Sequence, residues 1–410
     1  MRRGVVVGAT LIGLACSAGV RAQTLQLTEA EALGRLSSES PRVRAIRAAI
    51  DLARADVLAA GRWPNPRVTI DRESAAGNTE YLTMVGQLLP VTGQRGLQVR
   101  AASALVDAAS GRADDAIRRA RADLRLAFAQ LAAAQLRERE LTAARDRLRD
   151  LAEILARREA AGDAAGFDRL RAEREVLDLD ADRATAATDR ARAQATVTGF
   201  FGEPVDPARI VAVVRDARPP ADLPAIDVLF ERAESTRGEL LAFRKEVDAA
   251  NFSVRAADRR RIPEPELIAG TKSSSVGTGD LGSVLTVQAV VPLFDRGNIE
   301  RAIARARAAQ AEASAAAFRT TLRAEIASLR AAVIERRETA ARYRASAVTS
   351  AGQLERIAQV SYDAGERGIL ELLDAFRTGS VARIRQTVLD AAARQAEIEL
   401  EYVSGWEMPE

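Results

Sequence analysis

The sequence predicts a mainly α-helical, elongated and internally duplicated protein with a small antiparallel β portion in each half. Three observations carry that reading. Landmarks recur about half a chain apart. Trp63-Pro64-Asn65-Pro66 returns as Ile262-Pro263-Glu264-Pro265, and Leu88-Leu89-Pro90 returns as Val290-Val291-Pro292. Ala161-Gly162 with Asp168 and Leu170 returns as Ala364-Gly365 with Glu371 and Leu373. The order is kept and the spacing is far longer than the roughly 20–50 residues of a solenoid repeat, so two large copies lie side by side. Next, every proline falls outside two tracts, 91–203 and 293–408, both crowded with the strong helix formers Ala, Arg, Leu, Glu and Gln. Finally, each copy switches from helical to strand periodicity between its paired prolines and its longest helix.

Residues 1–22 read as a secretory signal. Met1-Arg2-Arg3 supplies a charged start, an apolar run follows to Gly19, and Val20-Arg21-Ala22 offers small residues for cleavage before Gln23. The only cysteine, Cys16, either leaves with this segment or, after Leu14-Ala15, serves as a lipoprotein acceptor, although Gly13 stands where a bulky aliphatic is usual. The run is short for a membrane helix, and no other stretch reaches the ~18 apolar residues a span needs. Arg2, Arg3 and Arg21 account for the whole formal charge of +3, so the mature chain is balanced. That argues against a nucleic-acid partner, which needs a basic surface of one sign. Without histidine, and without cysteine once the signal is gone, the mature chain has no structural zinc site, no thiol nucleophile and no imidazole base. No metal site, no cofactor and no enzymatic chemistry are expected.

The first copy, 23–210, begins with a helix at 27–61. Pro64 and Pro66 then mark the start of a β-hairpin at about 67–91, in which Val68-Thr69-Ile70-Asp71 alternates. A long helix at 97–161 follows, with Leu141, Leu148 and Leu155 at sevens along a coiled-coil-like seam. At 1.5 Å per residue such a helix is roughly 100 Å long, which makes the molecule a rod. Gly162 and Gly166 turn the chain into a return helix at 167–199. The second unit, 211–410, opens on a connector carrying the apolar run Ile210-Val211-Ala212-Val213-Val214, read as a short strand. It then repeats the order: helix 226–260, Pro263 and Pro265, hairpin about 266–292, long helix 299–363, turn at Gly365 and Gly368, return helix 369–403. Leu322, Ile326, Leu329 and Val333 continue the seam. The many Arg, Asp and Glu between seam positions form a solvated face with i,i+4 pairing.

The strands are about ten residues long, close to what crosses an outer membrane, with one apolar face (Val68, Ile70, Leu285, Val287) and one polar face (Thr69, Asp71, Thr286, Gln288). Four strands cannot close a barrel, for which about eight is the practical minimum. If they span a membrane, several chains share one barrel. Two other patterns carry no chemistry. Gly277 to Gly282 fits GxGxxG, but a strand follows where a nucleotide site needs a helix. Asp178, Asp180 and Asp182 resemble a calcium loop, but on a helix Asp180 points away from the other two.

The order of signal, helix, paired-proline hairpin, long helix, glycine turn and helix, repeated once, resembles the TolC-like outer-membrane efflux channels over essentially the whole mature chain. Pro64-Asn65-Pro66, Gly93-Gln94-Arg95, Pro292-Leu293-Phe294 and Tyr362-Asp363-Ala364-Gly365 carry the resemblance locally. Gly162-Asp163 through Phe167-Asp168-Arg169-Leu170 looks most like the branch associated with heavy-metal cation efflux, the CzcC-like proteins. The resemblance implies a homotrimer with an α-helical barrel and a twelve-stranded transmembrane β-barrel, four strands from each chain, in contact with outer-membrane lipid. It implies a periplasmic adaptor and an inner-membrane pump, of the RND type, as partners, and metal cations among the exported substrates. Glu371 and Asp374 match the acidic ring at the pore constriction. Asp168, Tyr362 and Arg367 match the links that hold the periplasmic gate shut. The plainer reading of Glu371 and Asp374 is surface charge that favours a helix start. A competing assignment is a periplasmic coiled-coil scaffold or adaptor without a pore. An enzyme is disfavoured because a helical rod offers no concave cleft.

Overall fold

The computed structural model describes residues 24–75, 77–162, 166–214, 222–275 and 281–407. The expected signal with Cys16, Asp163 in the first glycine turn and most of the GxGxxG stretch lie outside them. Strand β1 (Leu25–Leu27) is followed by α1 (Glu29–Gly34) and α2 (Pro41–Ala60). The helix expected at 27–61 is therefore two helices. Pro41 cannot continue a helix from its N-terminal side, and Ser40 caps α2 by accepting from the Val43 N–H at 3.3 Å. Thr28 and Glu31 form a reciprocal capping box on α1. Strands β2 (Arg67–Ala75) and β3 (Asn78–Leu88) lead to α3 (Gln94–Ala160), a single helix of 67 residues. Its return partner is α4 (Gly166–Thr198).

The second half repeats this order. A short β4 (Ile210–Ala212) precedes α5 (Ile226–Thr236), α6 (Gly238–Arg259), β5 (Pro265–Ser274) and β6 (Leu281–Ala289). The helix expected at 226–260 is also broken, at Arg237 and Gly238. The second long helix comprises α7 (Asn298–Tyr343), one π-helical turn at Arg344–Val348, and α8 (Thr349–Asp363); α9 (Ile369–Ser404) returns.

Each level of the molecule is a single layer of four elements in one order. The sheet runs β2-β3-β5-β6, antiparallel throughout. Next to it the helices run α2-α3-α6-α7, and at the far end α4-α3-α9-α8. Between the two helical levels lies a parallel pair, β1 with β4, over a core of Leu124, Phe128, Leu131, Val197 and Ile210. The heptad leucines Leu141, Leu148 and Leu155 are buried, as are Leu322, Ile326 and Val333. Every level therefore ends in two free edges, and exposed apolar residues stud them: Leu52 and Leu58 on α2, Ile299 and Ile303 on α7, Leu170 and Leu177 on α4, Leu354 and Ile357 on α8.

The break before α6 has a specific cause. The backbones of α3 and α6 touch at Gly111 and Gly238, where a Cβ on Gly238 would stand 2.0 Å from the Gly111 carbonyl oxygen. One turn along α3, the Asp115 carboxylate accepts from the Gly238 N–H at 3.2 Å, capping α6, and from Arg237 Nε at 3.0 Å. Asp115 and Arg237 are each only 9% exposed, and the guanidinium lies over Phe318 and Tyr402. A second ionic node ties the start of the chain to its end: Glu29 accepts from Arg125 and Arg394, and Arg125 also pairs with Glu401. Burial alone would raise the Glu29 carboxyl, but the two guanidinia outweigh it and hold it below its ordinary value. A lowered folded-state value means the contribution is present above the ordinary carboxylate range and is lost as pH falls through and below it. Glu29→Gln should therefore remove part of the acid-side fall in thermal midpoint below about pH 4.5. An unchanged acid slope would show the node to be inert.

Candidate functional site

Two ends of the rod carry the predicted functional residues. At the β end, Pro64 and Pro66 stand just before β2, Pro263 just before β5, and Pro265 is the first residue of β5. Proline fits there because the first strand position needs no ladder N–H. The Pro64 carbonyl accepts from Gln87 Nε2 at 3.1 Å, and Thr92 Oγ1 donates to Glu264 at 2.7 Å, tying the second repeat's proline pair to the first repeat. In the sheet Val68 faces Val85, Val85 faces Ala269, and Ala269 faces Leu285. That face is the exposed one, with Ile70 at 72% and Leu285 at 75%. On β3, Tyr81, Thr83 and Val85 are exposed, while Glu80, Leu82, Met84 and Gly86 on the other face are more covered. On the covered face Lys272 pairs with Glu80 at 2.6 Å. A sheet with its apolar face outward suits lipid rather than water. Among the described residues no helix is long and apolar enough to cross a membrane.

At the other end α3, α4, α8 and α9 converge on a core of Leu148, Leu151, Leu155, Ala172, Ala358, Ile369, Leu372 and Leu373. Gly162 and Gly365 take left-handed backbones, φ 82° and 74°, just past the ends of α3 and α8. A side chain at either position would be strained, which is why glycine ends these helices. In the second turn the Glu366 and Arg367 N–H groups both donate to the Ser361 carbonyl. Gly166 and Gly368 serve their turns in other ways. Gly166 leaves room for the Glu159 carboxylate, which Arg169 Nε holds at 2.6 Å, and Gly368 is the extended N-cap of α9.

Tyr362 is bound within one chain, but to Arg158, whose Nη1 donates to its hydroxyl at 3.3 Å and whose guanidinium lies 5.5 Å from the ring centre. The expected set of Asp168, Tyr362 and Arg367 is not joined in one protomer. Asp168 sits on α4 and Tyr362 on α8, the two ends of the arc, with α3 and α9 between them. Among the described residues neither Asp168 nor Arg367 has a side-chain hydrogen bond or ion pair. Arg158 was missed because nothing local distinguishes it from its arginine neighbours. Glu371 and Asp374 both lie on the exposed side of α9, in one stripe with Thr378, Val381, Arg385 and Val388, while Leu372 and Leu373 turn inward. Neither carboxylate has an ion-pair partner among the described residues. Among those residues no group of three or more metal-binding side chains is assembled.

The comparisons with known proteins agree with this architecture. A family model described as "Outer membrane efflux protein" matches residues 229–405, essentially the second repeat. The cobalt-zinc-cadmium resistance protein CzcC of Cupriavidus metallidurans is 25% identical over 359 residues, covering 87% of this chain and 84% of that protein. A membrane protein from Pseudomonas aeruginosa superposes with a TM-score of 0.76 at 20% identity, covering 92% of this chain and 93% of that one. The outer membrane protein VceC of Vibrio cholerae superposes with a TM-score of 0.74 at 18% identity, covering 92% and 96%.

Proposed function

We propose that the chain is an outer membrane efflux protein, an outer-membrane channel extending into the periplasm, and that it serves as the passive exit duct of a tripartite efflux system. Its relatives are efflux channels rather than enzymes, and we assign it no covalent chemistry. The observation that carries the reading is the four-element arc with two free edges at every level. A four-stranded sheet cannot close alone, whereas three copies joined β6 to β2 form a twelve-stranded barrel of ordinary size. The same three copies join α7 to α2 and α8 to α4, covering the apolar residues on those edges.

In that ring α4 of one copy meets α8 of the next, which brings Asp168 toward the neighbour's Tyr362 and Arg367. The stripe headed by Glu371 and Asp374 then faces the passage and sets rings of carboxylates at its narrow end. Rings of one sign attract cations, in keeping with a cargo of metal cations like those in the name of CzcC. A periplasmic adaptor would grip the tip and connect it to an inner-membrane pump of the RND type. Cargo choice belongs mainly to that pump, since no group of three or more metal-binding side chains is assembled among the described residues.

Membrane fractionation followed by planar-bilayer recording tests this. Recovery in the outer-membrane fraction with stepwise conductance is expected; a soluble periplasmic monomer would defeat the duct and favour a scaffold. In the same bilayers Asp168→Ala should raise conductance, and no change would remove Asp168 from the gate.

A further inference from the structure

The mature chain is electrically balanced, yet the end of the helices next to the sheet is not. Residues 61–67, 91–100, 255–264 and 293–307, which connect the four strands to α2, α3, α6 and α7, hold twelve arginines against four acids. All lie within 18 residues of a strand end along the sequence. The acids are already engaged: Asp258 with Arg301, Glu264 with Thr92, and Asp295 and Glu300 with Arg260. Arg62, Arg100, Arg259, Arg261, Arg296, Arg305 and Arg307 are exposed and have no ion pair among the described residues. An unbalanced basic surface of this size is not explained by folding.

Its position suggests the partner. In the same connectors, between the strand ends and Arg62 and Arg296 in sequence, lies an exposed apolar and aromatic band. Val290 is 85% exposed and Phe294 96%, with Val291, Leu293 and Trp63 beside them. Arg95 lies 5.0 Å over the Trp63 ring. Aromatic residues at the headgroup level with cationic side chains just beyond them are the arrangement a bilayer surface favours. Guanidinium groups bind phosphate in a fixed bidentate geometry.

We propose that this arginine collar binds anionic phospholipid, through its phosphate, at the helix-side surface of the membrane. The collar thereby sets how deep the barrel sits. The proposal rests on the membrane-barrel reading of the sheet.

The test compares the mature protein with Arg259→Gln/Arg261→Gln/Arg296→Gln/Arg305→Gln and with the matching four-lysine variant. Each is reconstituted in phosphatidylcholine vesicles with and without phosphatidylglycerol, then extracted in detergent, and the retained lipid is measured by native mass spectrometry. The wild type should retain phosphatidylglycerol over phosphatidylcholine. The preference should shrink as salt rises from ~0.1 M to ~1 M, where the screening length falls from about 10 Å to about 3 Å. Inorganic phosphate at equal ionic strength should not abolish it. The glutamine variant should lose roughly fivefold in preference for each arginine that faces lipid, while the lysine variant, which keeps the charge and loses the bidentate geometry, falls between it and the wild type. Equal retention of both lipids by the wild type overturns the proposal. So does a glutamine variant that keeps its preference, or one that changes only ion selectivity, which places the arginines in the passage. So does a variant that loses its oligomer while its monomer keeps the lipid preference, which makes the collar a subunit interface. Failure of the barrel reading itself looks different: the protein then inserts into neither vesicle.

Discussion

Asp115→Ala should destabilise the folded chain by about 3–5 kcal/mol, the range for removing one partner of a buried, hydrogen-bonded ion pair. The carboxylate does three things at one place. It neutralises Arg237, caps the first turn of α6 through the Gly238 N–H, and holds the α5–α6 break against α3 where Gly111 and Gly238 touch. Its loss strands the Arg237 guanidinium, which lies over Phe318 and Tyr402, without its one ion-pair partner among the described residues. Because α3 runs without a break from the sheet to the tip, a fault at this crossing disturbs both helical levels. Thermal unfolding followed by circular dichroism checks this. Asp115→Ala/Arg237→Met should recover part of the loss, because an apolar side chain in place of the stranded charge removes the desolvation penalty. A midpoint shift no larger than that from breaking the exposed pair Arg54–Asp51 would show that the node is no more than a surface contact.

Glu371→Ala/Asp374→Ala should lower the cation preference of the reconstituted channel by about tenfold at ~0.1 M salt, and by less at ~1 M. Both carboxylates are exposed and have no ion pair among the described residues, in the stripe of α9 that the buried Leu372 and Leu373 leave open. In a ring of three chains they are brought near their own copies, so removing them changes the field at the tip far more than it changes folding. Because Glu371 sits in the first turn of α9, the variant also loses a favourable helix-dipole contact, worth at most about 1 kcal/mol. That small folding effect and a large selectivity effect separate the pore reading from the plain surface-charge reading. Unchanged conductance and selectivity would leave only the latter.

Much of the architecture was readable because it follows from local chemistry that is written twice. Helix-forming composition, heptad leucines such as Leu141 and Leu148, glycines at the left-handed turns and prolines at the strand starts each act within a few residues of themselves. The apolar row Val68, Ile70, Leu285 and Val287 was equally legible, since period-two alternation needs no knowledge of the partner strand. What escaped was long-range. β1 is three residues long, too short for any periodicity, and exists only because Ile210–Ala212 lies beside it. The break at Gly238 depends on Asp115, more than a hundred residues away, and the node at Glu29 joins opposite ends of the chain. The partner of Tyr362 inside one chain is Arg158, one arginine in a helix full of them. Charge pairing among so many arginines and acids has too many local alternatives for sequence alone to choose.

The central claim, that this chain is one third of a closed tube, is tested most directly by cross-linking its free sheet edges. Cys16, within the expected signal, is the only cysteine of the sequence, so in a Cys16→Ser background one cysteine on β2 and one on β6, scanned over neighbouring registers, report only the designed contact. The account predicts that oxidation in the membrane yields covalent dimers and then trimers, with the ladder stopping at three. Monomer alone at every register, or a ladder that continues past three chains, would contradict it.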